Sequence, residues 1–215
     1  MPPAPLGQRP PPDPSHLALV LASASPRRLD LLRSVGLDPV VDPADVDEVL
    51  DGHLDAATAA TTLALTKGRA VSPRHPGAVV LGADTVVEVD GDLLAKPVDA
   101  DDAARMLRRL SGRTHRVVTG VAVIDPAGEA RTDAALATVR FHPLDEREIV
   151  AYVATGEPDD AAGAYAVQGR AAAFVAEVTG EPSTVIGLPV ATTVRALRRA
   201  GIDVVTTWRA QARAR

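Results

Sequence analysis

The chain has no cysteine, very few aromatic residues and no long apolar run. The absence of cysteine excludes disulfides, thiolate metal sites and a thiol nucleophile, and it agrees with an expected cytoplasmic location. Only 2% of the 215 residues are aromatic, which is too few to build stacking platforms for single-stranded nucleic acid. No stretch approaches the roughly 20 apolar residues of a membrane-spanning helix, so we expect no membrane partner. These absences favour a protein that takes small ligands.

The charge balance is acidic, with 28 acidic against 23 basic residues and a formal net charge of −5. A general nucleic-acid binder carries a basic surface, so the sequence predicts no nucleic-acid partner. A hydrophobic content of 46% is enough for a sizeable core. We expect a single domain over residues 16–210, preceded by a disordered proline-rich tail, residues 1–15, that has too little apolar surface to pack.

Strand and helix patterns mix along the chain and predict an α/β or α+β fold. Predicted strands lie within residues 17–22, 37–43, 77–89, 115–125, 129–142 and 164–180, and the one at 77–89 is expected to be broken by Gly82. Predicted helices lie within residues 26–35, 54–71, 99–112, 144–156 and 187–201, the last being the final helix. Trp208 either packs that last helix or joins a dimer contact.

The segment LVLASASPRRLDLLRSVG predicts a strand that leads into a helix. Ser25 suits the N-cap position, Pro26 suits the first helical position, and Gly36 suits the position just after the helix. Arg27 and Arg28 then lie in the first turn, where the helix dipole makes each cation unfavourable by roughly 0.3–1 kcal/mol. An anion at the helix N-terminus would reverse that cost. Two interpretations follow: a phosphate site, or a plain helix start with both arginines in solvent.

Asp84 lies inside an apolar strand pattern, where a carboxylate needs a cation, a hydrogen-bond donor or a metal ion. The alternative is a structural aspartate that caps a bend. Glu48 supplies a second carboxylate, and Lys67 and Lys96 supply cations. Carboxylates, lysines and an arginine-bearing helix end together suit magnesium-assisted phosphoryl chemistry. His115 opens a strand beside a turn, so we expect it to be a structural hydrogen-bonding residue.

Five segments stand in the order typical of the Maf family of nucleoside triphosphate pyrophosphatases: LASASPRRLDLL, LGADTVV, LLAKPVDADDAARMLRRLSGRTHRVVTGVAV, AGAYAVQG and VIGLPV. The resemblance extends from about Leu17 to Arg199. It implies hydrolysis of a nucleoside triphosphate to the monophosphate and pyrophosphate with a divalent metal ion, Mg²⁺ or Mn²⁺. It links the chain to removal of non-standard nucleotides and to inhibition of septum formation. It also implies an ITPase-like mixed β-sheet flanked by helices, a cleft between two lobes, and a homodimer.

The same resemblance implies the site. Asp84 and Glu48 are the catalytic residues and metal ligands, and the substrate-binding residues are Ser23, Arg27, Arg28, Lys67, Thr85, Lys96 and Gln168. Arg27, Thr85 and Gln168 match the branch that acts on dTTP and UTP. Ala161 departs from that branch, because many relatives have lysine there. The alternative function is a non-catalytic nucleotide-binding regulator of septum formation.

Overall fold

The computed structural model describes residues 17–46 and 54–213, so the predicted tail at 1–15 lies outside the described residues. The strands are β1 (Leu19–Leu21), β2 (Val40–Val41), β3 (Val79–Val89), β4 (Asp92–Leu94), β5 (Thr114–Ile124), β6 (Ala130–Phe141) and β7 (Val175–Gly180). The α-helices are α1 (Pro26–Ser34), α2 (Ala56–Val71), α3 (Ala100–Leu110), α4 (Glu146–Val153), α5 (Pro182–Ile186), α6 (Val190–Arg199) and α7 (Val204–Arg213). Short 3₁₀ helices cover Ser72–Arg74, Glu157–Asp160, Ala162–Ala164 and Arg170–Phe174.

The seven strands form one mixed sheet in the order β2-β1-β3-β5-β6-β7, with β4 paired to β3. The pairs of β1 with β2 and with β3 are parallel, and all other neighbours are antiparallel. Helices flank this sheet, which confirms the predicted mixed α/β architecture. None of the helices in the described part of the chain combines the length and the hydropathy needed to cross a membrane.

One edge of β3 is divided between two short strands. At its beginning, Val79–Leu81 pair with β1, and at its end, Val87–Val89 pair with β4. The opposite edge of β3 pairs with β5 along most of its length. Residues 82–86 therefore have no strand partner on the first edge among the described residues. Asp84 and Thr85 lie in this opening.

Two apolar clusters pack on the same face of the sheet, because both use odd-numbered positions of β3. The first joins the start of β3 to β1, α1 and α6 and includes Leu21, Leu81 and Leu197. The second joins the end of β3 to α3 and α4 and includes Val87 and Phe141. The two clusters thus lie at opposite ends of β3.

Helix α2 packs on the other face, and two glycines let it come close. A methyl group at Gly82 would lie 2.1 Å from the Ala64 carbonyl oxygen, and one at Gly120 would lie 2.4 Å from the Ala60 carbonyl carbon. The prediction that Gly82 breaks the strand is wrong, since β3 runs through it without interruption. Glycine is needed there for helix contact. This close approach brings Lys67, on α2, over β3.

Replacing Gly82 with alanine is expected to lower the free energy of unfolding by about 3 kcal/mol, because the new methyl group would meet backbone atoms of α2. Gly68→Ala is the matched control on the same interface, where a methyl group meets the flexible end of Ile124 at 3.2 Å. Inside a helix, alanine is also more favourable than glycine by about 0.5–1 kcal/mol, so the Gly68→Ala control should change the free energy of unfolding little. Urea unfolding of both variants checks this, and equal losses would contradict it.

The chain continues into a further helix beyond the segment predicted to be the last. Gly201 ends α6 with a positive φ of 95°, and α7 follows. The Trp208 indole N–H donates to the Val35 carbonyl oxygen at 2.7 Å, which ties α7 to the end of α1. Trp208 is 50% exposed, so this bond connects two helices without burying the ring, and the dimer contact stays a prediction.

Candidate active site

A cleft of about 390 Å³ opens at the unpaired edge of β3. All the predicted site residues that the structure describes line it: Ser23, Arg27, Arg28, Lys67, Asp84, Thr85, Lys96 and Gln168. Glu48 lies outside the described residues. Among the described residues that line the cleft, four cationic side chains face two carboxylates, those of Asp84 and Asp160. An electropositive cleft in an acidic protein is suited to an anionic ligand.

Helix α1 begins as predicted, with Ser25 in extended conformation at the N-cap and Pro26 as the first residue. The Ser25 side chain makes no capping hydrogen bond, and its N–H donates instead to the Ser23 hydroxyl at 3.2 Å. Gly36 has a φ of 82° and follows the helix end as predicted. The contact between Ser25 and Ser23 thus holds the start of α1 against the loop that follows β1, at the cleft.

Arg28 connects α1 to two other segments. Its Nε donates to the Gly187 carbonyl oxygen at 2.9 Å, and its guanidinium also donates to the Ser23 hydroxyl at 2.9 Å and to the Thr85 hydroxyl at 3.5 Å. The interpretation that both arginines point into solvent is therefore wrong. Arg28, and not Arg27, is the arginine that contacts Thr85.

Arg27 and Lys96 meet at the carboxylate of Asp160, which was not predicted as a site residue. Lys96 donates to the Asp160 carboxylate at 2.5 Å, and Arg27 lies 3.8 Å from that carboxylate while donating to the Asp160 carbonyl oxygen at 2.7 Å. Asp160 is 59% exposed, and exposed ion pairs contribute only about 0–1 kcal/mol. An anionic ligand can displace this carboxylate at little cost. The only sequence signal was its position beside the AGAY segment.

Lys67 and Asp84 form a buried ion pair. The Lys67 ammonium lies 2.5 Å from one Asp84 carboxylate oxygen, and the two side chains are 10% and 9% exposed. Removing one partner of such a pair leaves a charge uncompensated in a poorly hydrated place. Asp84 lies in the middle of β3 opposite Gly120, so it does not cap a bend.

The described residues contain no group of three or more acidic or histidine side chains that could hold a metal ion on their own. Magnesium is usually held by one or two carboxylates together with substrate phosphates. Asp84, a carboxylate on the wall of a cationic cleft, fits that smaller requirement.

Three threonines continue inward from the cleft wall as a chain of hydrogen bonds. The Thr85 hydroxyl lies 2.9 Å from the Thr119 hydroxyl, and Thr119 donates to the Thr184 carbonyl oxygen at 2.8 Å. Thr119 is fully buried, whereas Thr85 is half-buried and lines the cleft. Thr85 was predicted from the sequence but Thr119 was not, because an isolated threonine in an alternating strand carries no signal.

His115 and Tyr165 form a buried pair behind the cleft. The His115 Nε2 lies 2.8 Å from the Tyr165 hydroxyl, and both rings contact Phe141 edge-on. Burial lowers the pKa of His115 to about 4 and raises the pKa of Tyr165. His115 is thus the structural hydrogen-bonding residue that its position predicts.

The lowered pKa of His115 predicts acid sensitivity. The pKa of His115 is about 6.5 in the unfolded chain and about 4 in the folded protein, so the folded protein binds the imidazole proton only at lower pH. The contribution of this group to stability is complete above about pH 6.5 and falls by about 3 kcal/mol as the pH drops toward about 4. Between about pH 6.5 and about pH 4, the free energy of unfolding of His115→Gln should therefore fall by about 3 kcal/mol less than that of the wild type, as measured by urea unfolding. Equal losses would contradict the prediction.

Residues 18–200 match the Maf-like protein family. The dTTP/UTP pyrophosphatase of Symbiobacterium thermophilum is 51% identical over 189 residues, which cover 87% of this chain and 96% of that protein. The dTTP/UTP pyrophosphatase of Anaeromyxobacter dehalogenans strain 2CP-C is 53% identical over 190 residues, covering 86% and 95%. Among solved structures, a HAM1 protein from Coxiella burnetii is similar at 14% identity with a TM-score of 0.44, over 59% of this chain and 73% of that one.

Proposed function

Since this chain belongs to the Maf family, we propose that it is a nucleoside triphosphate pyrophosphatase that hydrolyses dTTP and UTP to the monophosphate and pyrophosphate. The observation that carries the proposal is that four cationic side chains line one cleft together with Asp84, which Lys67 contacts. A protein that only binds polyanions gains nothing from a buried carboxylate in that cleft. The alternative of a non-catalytic regulator has no such observation in its favour.

In the proposed reaction, the oxygen of a water molecule bonds to the α phosphorus, and the bridging oxygen leaves with pyrophosphate. The Asp84 carboxylate accepts the proton of that water. Arg27, Arg28 and Lys96 bind the phosphates, and they stabilise the negative charge that develops on the leaving pyrophosphate. Lys67 holds Asp84 through the ion pair described above. Glu48 remains the second candidate for a catalytic carboxylate.

We propose Mg²⁺ or Mn²⁺ as the cofactor, with Asp84 and Glu48 as the residues that hold it together with the substrate phosphates. The ion would offset phosphate charge and polarise a phosphoryl oxygen when bound. The proposal also includes a homodimer, a cytoplasmic location and a house-cleaning role in the nucleotide pool linked to arrest of cell division. These follow from the family resemblance and from the lack of cysteine.

Product analysis with a panel of triphosphates tests the reaction. With Mg²⁺ present, dTTP and UTP are expected to yield monophosphate and pyrophosphate in equal amounts. Release of inorganic phosphate and a diphosphate would place the cleavage at another bond and contradict the proposal. Tight nucleotide binding without any product would favour the regulator.

Substrate preference is a separate prediction. Because Arg27, Thr85 and Gln168 match the pyrimidine branch, kcat/KM for dTTP and UTP should exceed that for GTP and 7-methyl-GTP. A misfit of one methylene in a pocket is worth about 1–3 kcal/mol, and a purine adds a whole ring, so we expect a preference of about 10-fold or more. Steady-state kinetics on these four nucleotides measure it. A preference for either guanine nucleotide would contradict the assignment.

A further inference from the structure

The chain of threonines from the cleft wall has a fixed direction. A carbonyl oxygen only accepts hydrogen bonds, so the single hydroxyl proton of Thr119 goes to Thr184. Thr119 then has no proton left for Thr85, and the 2.9 Å contact between the two hydroxyls is donated by Thr85. The hydroxyl proton of Thr85 is thus committed to the protein interior.

What Thr85 presents to the cleft is therefore only its lone pairs. Arg28 donates to this oxygen from 3.5 Å, which agrees with its acceptor role. A hydroxyl without an available proton cannot donate to a phosphate oxygen. Thr85 instead suits a ligand group that carries a hydrogen, such as a ring N–H.

We propose that Thr119 is a specificity-determining positioning residue: by fixing Thr85 as an acceptor, it makes the enzyme favour pyrimidines that carry an N3–H over cytosine. This inference rests on the proposed function, because it takes the cleft to be the nucleotide site. Uracil and thymine share the N3–H donor, while cytosine has a lone pair at the same ring position. The sugar 3′-OH is a donor that UTP and CTP share, so only a contact to the base can separate these two nucleotides.

Binding of uncleavable nucleotides tests the proposal without requiring hydrolysis. The probes are the α,β-imido analogues of UTP and CTP, titrated calorimetrically into the wild type, Thr119→Val, Thr119→Ser and Thr193→Val. Thr119→Val frees the Thr85 proton, which can then turn toward the cytosine N3. The matched control is Thr193→Val, since Thr193 is equally buried and its hydroxyl has no hydrogen-bond partner in the described structure.

We expect the wild type to prefer the UTP analogue by about fivefold to tenfold, the value of one hydrogen bond. Thr119→Val should bring that ratio close to one, whereas Thr119→Ser and Thr193→Val should keep it. Thr85→Val, which leaves the Thr119 bond to Thr184 in place, should also lose the preference, and it provides the test if Thr119→Val does not fold. Equal weakening of both analogues in Thr119→Val, or an unchanged ratio, overturns the proposal. Failure of the wild type to cleave UTP overturns the proposed function instead.

Discussion

Replacement of Asp84 by asparagine is expected to lower pyrophosphate release from dTTP by at least about a hundredfold while nucleotide binding persists. Asparagine has nearly the same shape, but its amide cannot take a proton from water. Its side-chain oxygen can still accept the hydrogen bond from Lys67, which in the wild type lies 2.5 Å from the carboxylate. The Lys67 ammonium loses its counter-charge, so we expect lower stability, but the retained hydrogen bond should keep the protein folded and the cleft in place. Pyrophosphate release and calorimetric titration with dTTP measure the two effects on the same preparation.

Asp92→Asn provides the control for this variant. Asp92 lies on β4 outside the cleft, is 69% exposed and pairs with Arg109 at 2.6 Å. Its loss should leave both readouts close to those of the wild type. An Asp84→Asn protein that releases pyrophosphate at the wild-type rate would remove Asp84 from the mechanism. One that melts early and no longer binds dTTP would make the Lys67–Asp84 pair a structural feature.

Features of the fold that depend on a few neighbouring residues could be predicted from the sequence. The start of α1 at Pro26 and its end before Gly36 were predicted because proline and glycine have backbone preferences that act locally. The long antiparallel pair of β5 and β6 was predicted from alternating patterns around the turn at Gly128. Helix α7 was missed, because it follows Gly201 closely and its attachment depends on a distant contact between Trp208 and Val35.

Local sequence patterns could not predict that the site residues lie close together, because this depends on contacts between distant segments. Arg28 bonds to Gly187, 159 residues away, and Lys96 bonds to Asp160, 64 residues away. Gly82 was misread for the same reason, since its role comes from the helix that packs across it. The family resemblance named Arg28 and Lys96 as site residues without any geometry, but it did not name their partners Gly187 and Asp160.

The second large effect is expected from Arg28→Ala, which should lower kcat/KM for dTTP by about ten- to hundredfold. A charge-assisted hydrogen bond is worth about 1.5–3 kcal/mol, and the alanine variant lacks the guanidinium that faces the cleft from the first turn of α1. The effect exceeds that expected from Arg27, because the Asp160 contacts of Arg27 are exposed whereas Arg28 is fixed by the Gly187 carbonyl oxygen.

Arg33→Ala and Arg28→Lys complete this experiment. Arg33 lies on the same helix, is 55% exposed and pairs only locally with Asp38 at 2.9 Å in the described structure, so its removal should leave kcat/KM close to the wild-type value. Lysine at position 28 keeps the charge but lacks the planar fork that reaches Ser23, Thr85 and Gly187 together, so its activity should fall between alanine and arginine. Wild-type kinetics in Arg28→Ala would show that the first turn of α1 binds no phosphate. A lowered melting temperature with unchanged kcat/KM would mean that the guanidinium serves only to connect α1 to the loop at Gly187.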